Sequence, residues 1–301
     1  MKIIKIVRHI KSSIRFIWYH PLVKGRRFRA VSRYIYFHFI SRLKKIDKKI
    51  DFVEYTSLIV RRDLSGAVTN YFTYLADYEE MMFLLHFLRQ GDIFYDIGSN
   101  VGSYSILASG VIGCNTVAFE PVKETFGHLL ENIKLNGISD KVSVFNIALG
   151  ENEAEVNISN SSGALNRIKN EKHLNTEIVK QKSLDSIIKN NIPRLIKIDV
   201  EGYEMKVLLG ARKILSNLKL KAIIIELNGG SKKYDMTDNQ IHNMIVSFGF
   251  HAISYDPISR KLDPLMNYNN QSHNTIYIRN IDDIANLVSE SRKYKIGMTM
   301  I

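Results

Sequence analysis

Asp96-Ile97-Gly98-Ser99-Asn100-Val101-Gly102 is the stretch that decides the fold. It follows the apolar run Ile93–Asp96, and no charged residue occurs from Ile97 to Phe119. Glycines set between a buried strand and a helix let the chain turn sharply and bring backbone amides against a ligand. Glu120 closes the next apolar run, Thr116–Glu120, where a carboxylate can accept both hydroxyls of a ribose. The pairing of Asp96 with Glu120 points to a nucleoside bound beyond the carboxyl ends of parallel strands. A dinucleotide would need G-x-G-x-x-G, yet Asn100 stands at the middle glycine, and the loop has no lysine for a P-loop. An acid ending the first strand repels phosphate but suits a ligand with an amino group and a sulfonium, so the electrostatics favour S-adenosylmethionine over NAD. A tight turn that binds nothing is the plainer alternative.

Outward from this turn, strand and helix patterns alternate. Strands are predicted at Ile93–Asp96, Thr116–Glu120, Val142–Ile147, Leu195–Asp199, Ala222–Leu227, His251–Tyr255 and Asn274–Arg279. Helices are predicted at Glu124–Asn136, Ser183–Lys189, Lys206–Asn217, from Thr237 to Phe248, and from Ile281 to about Tyr294. Thr237 with Gln240 has the spacing of a capping box. Strands separated by helices imply an α/β class, a doubly wound and mostly parallel sheet with helices on both faces.

Five motifs occur in series: Asp96–Gly102, Phe119-Glu120-Pro121, Ala148-Leu149-Gly150, Asp199-Val200-Glu201-Gly202-Tyr203-Glu204 and Ile225-Glu226. In order and spacing they resemble the FkbM family of methyltransferases, over roughly Asp92 to Arg279. The resemblance implies a class I methyltransferase fold, Rossmann-like with seven strands. It also implies S-adenosylmethionine as cofactor and, usually, O-methylation of a hydroxyl on a glycan, polyketide or related small molecule. Asp96, Gly98, Ser99, Asn100, Gly102, Glu120, Pro121, Ala148 and Leu149 are the cofactor-binding candidates, with Ala148 and Leu149 flanking the adenine; burial alone explains those two equally well.

Asp199, Glu201 and Glu204 crowd the end of the fourth strand of the sheet. Taking or orienting an alcohol proton needs an acceptor within hydrogen-bond reach, and Asp199 is the leading candidate for positioning residue or base. Methyl transfer is an in-line displacement, so alignment should supply much of the rate. The acids could instead hold a divalent cation, although two alternating acids are poor grounds for an octahedral site and no metal ligand is assigned. Glu204 could equally cap the following helix. His273, before the closing strand, is a further catalytic candidate against a plain structural role. Glu226 could line the substrate side, pack, or face solvent. His128, His242, Cys114 and Trp18 carry no readable signal, and Ser159–Lys172 and Gly229–Asp235 read as substrate loops.

Residues 1–50 hold 15 of the 42 Lys and Arg, one of the 30 acids and eight aromatics, a net +14 against −2 for the remainder. They read as a basic amphipathic helical extension, followed by a β-hairpin and helix over 51–90, the methyltransferase domain over 91–280, and a C-terminal helix and tail over 281–301. The hairpin is expected between Phe52 and Tyr74. An anionic membrane surface, a nucleic acid (less favoured), or packing as a solvated or oligomer arm could each use the basic arm. One cysteine excludes an intrachain disulfide and suits a cytoplasmic enzyme, peripheral on the membrane if the arm binds lipid. No signal peptide or transmembrane helix is predicted. A sugar O-methyltransferase in polysaccharide or glycolipid assembly leads. An RNA methyltransferase follows, although the Asn-Pro-Pro-aromatic signature of base amino-methylation is missing. A non-catalytic nucleoside-binding module is the third reading.

Overall fold

The computed structural model describes residues 2–43, 47–61, 65–159, 167–169, 176–188 and 190–301. It divides into two units, Met1–Tyr78 with Lys293–Ile301, and Glu79–Arg292. Among the described residues no helix is long and apolar enough to cross a membrane.

The first unit begins with α1 (Lys2–Tyr19) and α2 (Arg27–Leu43), joined by a single turn at Pro21–Val23 whose leading amide, Leu22 N–H, donates to His20 Nδ1. β1 (Asp47–Asp51) and β2 (Ser57–Arg61) then pair antiparallel, and α3 (Ser65–Thr73) follows. The hairpin therefore starts inside the basic segment, and the second half of the Phe52–Tyr74 stretch is a helix. Only Ile50 of Asp47-Lys48-Lys49-Ile50-Asp51 is buried, so no alternation marks this strand in the sequence. The expected turn residues Arg62 and Asp63 and the basic pair Lys44-Lys45 lie outside the described residues. Part of the basic charge is structural here: the Arg33 guanidinium lies 4.2 Å from the Tyr71 ring centre and Lys48 Nζ donates to Tyr71 Oη at 2.7 Å. The C-terminal tail belongs to this unit, with Ile296 bridging to Val53 and Lys295 N–H donating to Glu54 Oε1.

The second unit opens with α4 (Tyr78–Phe87), whose first residue is the last of the first unit's leading segment. Its elements are β3 (Ile93–Ile97), α5 (Ser103–Ser105, continuing as a π-helix over Ile106–Ile112), β4 (Asn115–Phe119), α6 (Lys123–Leu135), β5 (Val142–Phe145), β6 (Ala148–Leu149), β7 (Ala154–Ser159), β8 (Ile168–Lys169), β9 (Thr176–Lys182), α7 (Leu184–Ile187), β10 (Leu195–Ile198), α8 (Glu204–Leu209), α9 (Arg212–Ser216), β11 (Ala222–Glu226), α10 (Asp238–Ser247), β12 (His251–Asp256), β13 (Lys261–Pro264), β14 (Asn274–Ile278) and α11 (Ile281–Ser289).

The main sheet runs β13-β12-β14-β11-β10-β3-β4-β5. Strands β5, β4, β3, β10 and β11 are mutually parallel, while β14 is antiparallel to both β11 and β12. This is the class I, Rossmann-like α/β arrangement, with eight strands where seven were expected. The eighth, β13, is the short edge strand Lys-Leu-Asp-Pro, with one buried side chain and a proline that an edge tolerates. Parallel central strands are covered on both faces and read as unbroken apolar runs. Ile223, Ile224 and Ile225 of β11 are fully buried accordingly, each contributing about 1.5–3 kcal/mol of burial.

A second sheet, β6-β9-β7-β8, has no counterpart in the expected pattern. Val142–Ile147 ends early at Phe145 because Ala148–Leu149 crosses to this sheet. Lys206–Asn217 divides at Gly210, where a Cβ would stand 2.0 Å from the Gly150 carbonyl oxygen. The capping box of Thr237 and Gln240 is present. Most of the Ser159–Lys172 loop lies outside the described residues. Registers place the carboxyl ends together: Ile97 beside Phe119 and Ile198, Ile198 beside Ile225, and Glu226 beside Asn274.

Candidate active site

The glycine turn is held by backbone geometry. Gly98 has φ +75°, and a Cβ there would lie 1.8 Å from the carbonyl oxygen of Asp199. The turn is therefore pressed directly against the segment that carries the acids. Gly98 N–H and Ser99 N–H both donate to Phe119 O at 3.0 Å, and Gly102 N–H donates to Ser99 O at 2.8 Å. Asn100, with φ +50°, turns its N–H to Glu120 Oε2 at 3.0 Å. Glu120 Oε1 accepts from Val122 N–H at 2.9 Å. Burial pushes the Glu120 carboxyl up to about 7 in spite of these two amides.

Asp96 is only 1% exposed. Its Oδ2 accepts from Ser105 N–H at 3.1 Å and Ser105 Oγ at 2.6 Å, while its Oδ1 has no partner among the described residues. Burial raises this carboxyl, and the Lys197 charge and the two Ser105 hydrogen bonds oppose the rise.

On the acidic side Lys197, 4% exposed, sits in β10 beside Asp96 of β3. Its Nζ bonds Asp199 Oδ2 at 2.9 Å and lies 4.8 Å from the Tyr104 ring centre. Glu201 has φ +57°, an uncommon conformation for a residue with a side chain. Glu226 ends β11, and its Oε2 is buried without a partner among the described residues. Oxygens of Asp199, Glu201 and Glu226 lie within 4.8 Å of one another. Burial, then the Asp199 charge, lifts Glu201 to about 7 and Glu226 to about 9.

Glu204 is placed differently. It is buried, and its Oε1 accepts from Val200 N–H at 3.2 Å and Gly202 N–H at 3.0 Å, so this carboxylate closes the turn instead of facing an acceptor. Its carboxyl is raised to about 7, mainly by burial. His273 is exposed, and its carbonyl accepts from Leu227 N–H at 2.7 Å. Ala148 packs with Val122, Ile158 and Val179, and Leu149 joins the main core. Pro121 accepts from Asn146 Nδ2 through its carbonyl.

Three residues with site geometry were missed or left open. Lys197 is a lysine inside a strand whose four residues are all buried, an anomaly that Leu-Ile-Lys-Ile already displays. Glu226, at the end of a strand, is open in the sequence between lining the substrate side, packing and facing solvent. Asn274, directly across from Glu226, has a buried Oδ1 without a partner, and the sequence carries no signal for it.

A family model, the methyltransferase FkbM domain, matches residues 96–252 of the 301, from Asp96 to β12. The chain belongs to this family. Among curated proteins it is 28% identical over 161 residues to the hexuronic acid methyltransferase AglP of Haloferax volcanii, covering 51% of this chain. The match spans 63% of that relative's length. Solved structures are more distant. A Streptococcus mutans protein in complex with SAH is 14% identical at a TM-score of 0.40, covering 67% of this chain and 96% of the other. The Geobacter metallireducens precorrin-6y C5,15-methyltransferase is 11% identical at 0.39, covering 68% and 87%. At these scores the two structures bear on nothing further.

Proposed function

We propose that this chain transfers a methyl group from S-adenosylmethionine to a hydroxyl of a carboxylated sugar. The observation that carries the reading is the contact of the glycine turn with the acid segment, which sets Asp96 and Glu120 beside Asp199. S-adenosylmethionine would supply the electrophilic methyl group on its sulfonium. The residues present fit it. The unpartnered Asp96 Oδ1 is a buried acceptor for a cationic ligand, and each Glu120 oxygen keeps a lone pair for a ribose hydroxyl. Asp199, with one oxygen fixed by Lys197, offers the other to the acceptor hydroxyl and orients it or takes its proton. Glu204 holds the turn that places Asp199. His273, on the surface, has no assigned part in this scheme.

A carboxylated acceptor is supported by the hexuronic acid named for the relative. It is also supported by Arg167 and Lys233, whose charges act on Glu201. The reading is tested with radiolabelled S-adenosylmethionine and uronic acid glycosides beside their neutral hexose counterparts. Label is expected on the uronides as a base-stable ether. Equal transfer to neutral sugars would remove the carboxylate from the proposal, and transfer to neither would remove the sugar.

We also propose that the first unit rests on an anionic membrane. Phe28, Ile35 and Phe39 share one stripe of α2 and are exposed, Phe28 at 82%. Exposed Lys11, Arg15, Lys24 and Arg29 lie in the same helices and their link, giving the cation and aromatic pairing of interfacial helices. Co-sedimentation is expected with phosphatidylglycerol vesicles and not with phosphatidylcholine, and it should be lost in a Phe28→Ser, Ile35→Ser, Phe39→Ser variant. Pelleting equal to wild type in that variant would contradict the assignment, as would salt-sensitive binding to RNA alone.

A further inference from the structure

We infer that Asp199, Glu201 and Glu226, together with the side-chain oxygen of Asn274, form a binding site for a hard divalent cation such as Mg2+, Mn2+ or Ca2+. The three carboxylates come from separate places: the end of β10, the turn that follows it, and the end of β11. Their ligand oxygens nevertheless fall within 4.8 Å of one another. Two oxygens on one ion can stand no farther apart than twice the metal–oxygen distance, about 4.2 Å for Mg2+ and about 5 Å for Ca2+. The cluster, within 4.8 Å, fits the span of a Ca2+ coordination sphere and exceeds that of Mg2+ by at most about 0.6 Å.

Charge gives the same answer. With all three carboxylates ionised, the Lys197 ammonium, 2.9 Å from Asp199 Oδ2, offsets one negative charge and leaves two for a divalent ion to match.

An acid cluster alone would not make a site. The independent observation is Asn274, which is 7% exposed and has an Oδ1 with no hydrogen-bond partner among the described residues. It lies directly opposite Glu226 in the antiparallel β11–β14 pair. Residues opposite one another leave the sheet on the same face with Cβ atoms about 5 Å apart, which sets the Asn274 side chain beside Glu226, one of the three acids. Glu226 Oε2 beside it is likewise buried without a partner. Two neighbouring buried oxygens left without donors are costly, and a shared cation satisfies both. With every donor a carboxylate or amide oxygen, the site suits hard cations over Zn2+ or Cu2+.

A hydroxyl drawn onto such an ion beside Asp199 would be oriented and more readily deprotonated, a role that rests on the methyl-transfer reading. Binding of the ion does not rest on it. Mn2+ titration of the full chain, followed by electron paramagnetic resonance without cofactor, should saturate at one ion per chain at submillimolar concentration. Mg2+ or Ca2+ should displace it. Glu226→Gln and Glu201→Gln should each weaken binding at least tenfold, and Asn274→Asp should strengthen it severalfold. Glu204→Gln should leave binding unchanged, because that carboxylate is held by Val200 and Gly202 amides. Absence of a saturable site in folded wild type overturns the inference, as does wild-type affinity in the Glu226 and Glu201 variants or equal loss in Glu204→Gln. S-adenosylhomocysteine titration alongside separates the two proposals: ligand without Mn2+ removes the cation, and Mn2+ without ligand removes the cofactor reading.

Discussion

The two halves of the carboxyl edge are built on opposite terms. On the cofactor side, both oxygens of Glu120 and one of Asp96 are held by donors within hydrogen-bonding distance, and most of those donors are backbone amides. On the acceptor side, among the described residues, Glu226 and Asn274 keep buried oxygens with no donor, and the Asp199 carboxylate is held by a lysine. One half is defined by the path of the chain and the other by strand ends brought together across the sheet. The difference teaches that preorganised amides can hold a ligand's shape, whereas an undersupplied cluster of acceptors is waiting for charge or for a hydroxyl.

Gly98 is where the halves meet, so its loss should be the most damaging change. Gly98→Ala places a methyl group against a backbone carbonyl that cannot move alone, and we expect a loss above ~4 kcal/mol in urea unfolding. Gly91→Ala, at φ +83° with nothing within 4 Å of the new Cβ, should cost only about 1 kcal/mol of backbone strain. Similar losses would mean that the turn and the acids are not pressed together.

Lys197→Met tests the link by charge. Removing a buried ammonium strands the carboxylates of Asp96 and Asp199, and a loss of about 3 kcal/mol is expected in the same assay, reduced because Asp199 is partly solvated. A neutral outcome would show that Lys197 does not hold the acids.

The acidic side was the less legible of the two, and the reasons are physical. A sharp turn forces glycines into a short contiguous motif, so Asp96 to Gly102 with Glu120 could be read from the chain alone. Glu226 and Asn274 are 48 residues apart and meet only through the antiparallel register of β11 and β14. The main sheet was visible as buried apolar runs. β7 was not, since Ala154 and Glu155 at its start are exposed and its period is blurred. β1 and β13 each bury one side chain and carry charges, so neither showed an alternation.

Smaller effects sharpen the contrast. Burial lifts Glu120 from 4.5 to about 7, so the folded protein holds its proton more tightly than the unfolded chain between those values. Stability contributed by this group therefore falls as pH rises from 4.5 to 7, and Glu120→Gln should flatten that slope. If the ionised carboxylate accepts ribose hydroxyls, affinity for S-adenosylhomocysteine should drop as pH falls below about 7, by up to roughly tenfold per unit. Affinity independent of pH in the wild type would detach Glu120 from the ligand.

Glu204 supplies the finest distinction. Glu204→Gln keeps an acceptor for the Val200 and Gly202 amides and should stay within about 1 kcal/mol of wild type, whereas Glu204→Ala should lose about 2 kcal/mol or more. Equal losses by thermal unfolding would contradict its place as the clamp of the turn.

The central claim is that Asp96 and Glu120 frame a site for the cofactor, and calorimetric titration with S-adenosylhomocysteine tests it most directly. Wild type is predicted to bind one ligand per chain at roughly micromolar affinity, and a folded Asp96→Ala variant to bind none. A folded wild type that gives no heat, or an Asp96→Ala variant that binds as well, would contradict it.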